Sequence, residues 1–133
     1  MTDKRSAYDR CVVDLQLAEV RLHDAISQQD ASAEEIYQAT LEKRRLEVRL
    51  VATRLAQAEY YLDALRARLD FLDARAARAG GATRREQAEL EWARTAVPAN
   101  AATVTRLAAE LEWRKQEFEE LATLTLIAKD AAA

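Results

Sequence analysis

Apolar residues recur along this chain at intervals of seven, and the recurrence persists over two long stretches. Leu41, Val48, Leu55, Leu62 and Leu69 form one series. Val51, Ala58, Leu65 and Leu72 follow at an offset of three, with Arg44 as the exception. Leu90, Val97, Val104, Leu111 and Phe118 form a second series, with companions Ala93, Asn100, Leu107, Arg114 and Leu121. Such a repeat is the seam of a coiled coil, because it keeps one stripe of a helix facing a partner helix. The word AELEW at 88–92 and 109–113 belongs to the same pattern. Its two copies lie three heptads apart and present one face.

Breaks in the pattern place the elements. A first helix is predicted over 3–28, with Tyr8, Val12, Leu15, Leu22 and Ile26 on one stripe. QQDASAEE interrupts it, and Ser32 with Glu35 supplies a capping box for the next helix. That helix, over 33–79, contains neither Gly nor Pro. Gly80 and Gly81 can take the left-handed conformation that ends a helix. Thr83 and Glu86 then make a second capping box. A third helix spans 84–129, and the closing AKDAAA is expected to fray. Pro98 lies inside it, where a proline costs about 3 kcal/mol. Yet the heptad phase passes Pro98 unchanged, which predicts a kink; the alternative is a break with Asn100 capping a fresh helix.

Folding the long helices back at Gly81 brings together residues equally distant from it. Leu72 then meets Leu90, Leu65 meets Val97, Leu55 meets Leu107 and Val51 meets Leu111, as an antiparallel hairpin requires. Lys43, Arg44 and Arg45 fall near Glu117, Glu119 and Glu120, and Arg49 near Glu110 and Glu112. Such surface pairs add little stability but help fix register. The first helix is shorter, runs antiparallel to the second and reaches only the half of the hairpin nearer the termini. It is expected to cover Trp113 there. The expected fold is all-α: a long, elongated antiparallel coiled-coil hairpin with an N-terminal helix packed on its base as a three-helix bundle. The chain is read as one domain over 1–133, whose distal arm, over 58–103, remains two helices. This layout is broadly similar to the helical-hairpin stalks of bacterial export machines and to the coiled-coil arms of some tRNA synthetases. The resemblance lies in architecture, and no residue role comes with it.

Composition agrees with long helices. Half of the residues are hydrophobic and 32% are charged, yet only 6% are aromatic, with two glycines and one proline. A compact globule needs larger apolar side chains and more turn residues than this. The formal net charge of −3 gives no global drive toward nucleic acid or an anionic membrane. No stretch approaches the roughly 18 apolar residues of a membrane span. The charged first residues lack the apolar core of a secretory signal, and the chain is read as cytoplasmic.

Little chemistry is available. His23 and Cys11 each stand alone, so a two-histidine metal site, a thiolate cluster and an internal disulfide are all excluded. Cys11 is read as a small core or boundary residue and His23 as a surface or interface one. Asp70 with Asp73, and Glu86 with Glu89, have the one-turn spacing of helical Mg²⁺-dependent nucleotide hydrolases, but arginines intersperse them. No catalytic, cofactor-binding or metal-ligating residue is assigned. Arg75, Arg78, Arg84 and Arg85 surround the turn, with no acid from Ala74 to Arg85. They offer a grip for phosphates or an acidic protein. Arg84 and Arg85 start a helix, where cations are disfavoured. Tyr60, Tyr61, Phe71 and Trp92 lie outside the seam on the distal arm.

The expected function is therefore structural or adaptor-like and non-enzymatic. The arm would hold a protein partner or a second copy, with a homodimer as the simplest case. RNA binding through the arginine tip and Mg²⁺-dependent nucleotide hydrolysis are the alternatives.

Overall fold

A computed structural model describes residues 4–28, 32–78 and 80–132, with side chains for 7–28, 32–78 and 80–124. Its elements are helices α1 (Lys4–Ser27), α2 (Ala33–Ala76) and α3 (Arg84–Ala132), with no strand among the described residues. Alanine, leucine, glutamate and arginine dominate α2 and α3, and these are residues that lose little on entering a helix. The all-α fold and its hairpin are as the heptads predict, and helix packing joins α2 to α3 and α1 to α2.

The helix ends follow local chemistry. Ser32 Oγ accepts the Glu35 amide at 3.1 Å, which caps α2. The expected start of α1 at Asp3 and the intervening residues 29–31 lie outside the described residues. So does Ala79, where the sequence put the end of α2. The helix in fact stops at Ala76, because the Arg78 amide turns to the Arg75 carbonyl and the Gly81 amide to the Arg78 carbonyl. Gly80 and Gly81 both hold positive φ, 99° and 63°, which an L side chain rarely adopts. At the start of α3 the capping box is complete. The Thr83 amide donates to Glu86, and the Glu86 amide donates to Thr83 Oγ1, each at 3.2 Å. The backbone of α3 stays helical to Ala132, past the Lys129 expected.

Pro98 does not break α3. The helix is continuous through it, and Asn100 is an interior residue whose Nδ2 donates back to the Ala96 carbonyl at 2.7 Å. Val97 and Asn100 stay half-buried on the seam, so the heptad phase crosses the proline intact.

Residue contacts divide the chain into two compact units: Met1–Arg54 with Ala109–Ala133, and Leu55–Ala108. Leu55–Ala108 contains only α2 and α3 segments. Its core is the predicted seam, with Leu62, Leu65, Leu72, Leu90, Ala93 and Leu107 all buried and Leu72 fully so. Each fully buried leucine contributes about 2 kcal/mol. Arg75 reaches Glu86 across the fold at 2.6 Å, within one residue of the register that Gly81 sets.

The other unit holds three helix segments with α2 in the middle. Arg44 pairs with Glu117 at 3.2 Å, Arg114 with Glu47 at 2.5 Å, and Tyr37 Oη donates to the Leu121 carbonyl at 2.7 Å. These ties seat α3 on the seam face of α2. Cys11 Sγ lies 3.6 Å from Thr53 Oγ1, Asp14 lies 3.7 Å from Arg49, and Arg54 sits over the Tyr8 ring at 5.7 Å. Thr53 and Arg49 lie on the side of α2 turned away from its seam. Here α1 runs antiparallel on the back of α2, which puts Ala18 opposite Leu46. Both are buried, at 3% and 4% exposure.

That placement corrects several expectations. The contact stripe of α1 centres on Cys11 and Ala18, small residues that let two helices approach closely. Val12 is pushed to its margin, and Ile26 is 62% exposed. Trp113 is not covered by α1: it is 53% exposed, with the Arg114 guanidinium 5.0 Å from its ring centroid. Arg45 turns to Glu42 on its own helix and Arg49 to Asp14, rather than to the acids of α3. In each case a nearer carboxylate is on offer. Cys11, by contrast, is the small core residue the sequence suggested.

Candidate interaction surface

Two ion pairs mark the two long edges of the Leu55–Ala108 hairpin. On one edge Arg68 grips Glu89 with Nε and Nη2, at 2.6 and 3.0 Å. On the other, Arg94 Nη2 donates to Asp73 at 2.9 Å. In an antiparallel coiled coil these are the residues flanking the seam on either side. The other side chains that flank the seam can be assigned to one edge or the other from these markers and the heptad.

Three of the four aromatic candidates share the Arg68–Glu89 edge. Phe71 lies there under the Arg68 guanidinium, 5.1 Å from its ring centroid. Tyr61 sits one heptad before Arg68 on the flank of the seam, and Trp92 one turn after Glu89. All three are half-exposed: Tyr61 48%, Phe71 51% and Trp92 55%. Tyr60, 64% exposed, lies on the outer face of α2 instead, because consecutive helical residues diverge by about 100°. The sequence singled out these four but did not say that three belong together.

The arginine tip is only partly gathered. Arg75 is held by Glu86 at 2.6 Å, so it serves the α3 cap. Arg78, Arg84 and Arg85 make no ion pair among the described residues. The pKa directions follow these contacts. Glu86 is held below the usual carboxylate range, first by the Thr83 amide and then by the Thr83 hydroxyl and Arg75. Glu89 is lowered by Arg68, and Arg68 is raised in return.

The two acidic pairs do not converge. Asp73 answers Arg94 on one edge, Glu89 answers Arg68 on the other, and Glu86 is engaged in the cap. Among the described residues no group of three His, Cys, Asp or Glu side chains is placed to hold a metal ion. His23 is exposed on α1, its Nδ1 3.4 Å from Ser27 Oγ. No described helix is long and apolar enough to cross a membrane. No family model, curated protein or solved structure matches the chain.

Proposed function

We propose that this chain is a non-enzymatic structural or adaptor coiled-coil protein, which holds a protein partner or a second copy through its two-helix hairpin. The observation that carries this reading is the gathering of Tyr61, Phe71 and Trp92, each about half-exposed, on one edge. Solvated coiled-coil flanks are ordinarily polar, whereas exposed aromatic clusters rimmed by arginine have the composition of protein interfaces. Homodimerisation is the simplest case.

The test is a photo-crosslinking amino acid at position 92 in the intact chain, expressed in its own cells. The reading expects a discrete protein adduct that disappears when Phe71→Ala is added. An absence of protein adducts, or a smear unchanged by Phe71→Ala, would sink it. A second reading, RNA binding at the tip, draws support from Arg78, Arg84 and Arg85, which make no ion pair among the described residues. It predicts an affinity that falls steeply with salt and collapses in the triple alanine variant. Salt-independent binding, or none, removes it.

A further inference from the structure

The two edges of the Leu55–Ala108 hairpin differ in charge as well as in shape. The aromatic edge carries Arg68, Arg75, Arg78, Arg85 and Arg106; Arg68 is bonded to Glu89, its one flanking acid, and Arg75 to Glu86 of the cap, so the other three leave the edge positive. Along the opposite edge run Glu59, Asp63, Asp70, Asp73 and Glu91, against Arg66, Arg84 and Arg94. That edge has no aromatic residue among its flanking positions. Its α3 half instead offers Pro98, Ala101, Thr105 and Ala108, a shallow uncharged strip beside the carboxylates. One chain thus carries a protruding cationic aromatic edge and a recessed acidic one.

Resting on the protein-interaction reading above, we propose that the partner is a second copy, docked edge to opposite edge. The aromatic, arginine-bearing edge of one copy seats on the acidic, small-residue edge of the next. Tyr61, Phe71 and Trp92 supply the apolar contact, and Asp63, Asp70 and Glu91 face the arginines. Each edge is long enough for this. A 22-residue helical span is about 33 Å long, and two helices side by side are about 20 Å across. The resulting face of roughly 660 Å² approaches the ~800 Å² per partner of a standard interface. Pairing two aromatic edges would instead set one cationic surface against another. Because the two contacting edges differ, the contact is heterologous. Each copy added leaves one edge of each kind unfilled, so assembly continues until a ring closes or a chain of copies grows.

Two complementary variants test this by sedimentation velocity and light scattering at low salt. Phe71→Ala with Trp92→Ala removes the aromatic edge and leaves the acidic one. Asp63→Lys with Asp70→Lys does the reverse. The native chain should grow beyond two copies as concentration rises. Each variant alone should remain at 15.0 kDa. An equimolar mixture should stop at a one-to-one pair, because only one productive contact is then available. All four side chains are exposed, so helical circular dichroism should match the native chain. If a double variant loses helicity, Trp92→Ala and Asp70→Lys alone repeat the test.

Self-association of the Asp63→Lys, Asp70→Lys variant as strong as native overturns the proposal in favour of aromatic edge on aromatic edge. A native chain that stays monomeric overturns it too. The wider interaction reading is judged separately by the position-92 crosslink, which would then report a different protein.

Discussion

The two units build the same kind of seam from different materials. Between Leu55 and Ala108 the seam is leucine, alanine and valine with Asn100 as a polar exception, and its principal ion pairs, Arg68–Glu89 and Asp73–Arg94, lie outside it on the edges. In the unit formed by Met1–Arg54 and Ala109–Ala133, arginines take seam positions. Arg44 and Arg114 share Glu47 and Glu117, and Glu47 is only 13% exposed. The apolar burial this seam forgoes is offset on the back of α2, where Cys11, Ala18 and Leu46 are buried. An ionic layer costs desolvation and adds little net stability, but it tolerates few alternative registers. An apolar seam does the opposite. The hairpin is therefore stabilised by burial and its capped turn, while the other unit owes its alignment to charge and its stability to a third helix.

Breaking each seam should expose the contrast. Leu72→Ala should cost about 2–5 kcal/mol in urea unfolding, because Leu72 is wholly buried. The accompanying loss of amide protection should concentrate in 55–108. A cost under about 1 kcal/mol would mean that the leucine seam is not the core.

In the ionic seam the direction depends on what is removed. Glu47→Ala leaves Arg114, whose Nε is already buried without a hydrogen bond, with Glu117 at 3.9 Å as its remaining carboxylate among the described residues. It should cost about 1–3 kcal/mol. Arg44→Leu with Arg114→Leu should unfold no more easily than the native chain, since an apolar layer avoids the desolvation cost. A large loss in that double variant would show that the charges contribute stability and not only register.

At the turn, Thr83→Ala removes a cap and should cost about 1 kcal/mol. Glu86, Glu89 and Glu42 are all held below the usual carboxylate range by their partners. Stability from a depressed carboxylate is complete above its unfolded pKa and is lost as pH falls through the folded one. Thermal stability should therefore fall in the acid range, with a shallower slope in Glu86→Gln. The smallest effect is expected on the edges. Asp73→Asn breaks an exposed pair and should cost no more than about 1 kcal/mol, vanishing at high salt.

Much of this was legible in the chain itself. The heptads identified α2 and α3, their antiparallel pairing and the leucines that meet, because a seam needs only spacing to declare itself. Thr83 and Glu86 announced the cap because its chemistry is confined to neighbouring residues. The direction of α1 was legible, but the face of α2 that receives it was not. The apolar residues of α1 spread around the helix, and Val12, Val13, Leu17 and Val20 compete with the smaller Cys11 and Ala18 for the buried stripe. Close helix approach favours small residues, which hydrophobicity alone ranks low. Arg49 and Trp113 depart from expectation because of where α1 lies: Arg49 turns to Asp14 on it, and Trp113 is left exposed. The aromatic edge fell between these cases. Its residues were visible one by one outside the seam, and the ion pairs across the hairpin put three of them on one edge.

The sequence by itself determined periodicity, element order, capping and pairing, all consequences of local spacing and chain connectivity. Tertiary structure decided which face of α2 receives α1, which carboxylate each arginine takes, and which side chains stay exposed. Those choices are competitions between partners distant in sequence. Distances and packing volumes settle them, and a linear pattern contains neither.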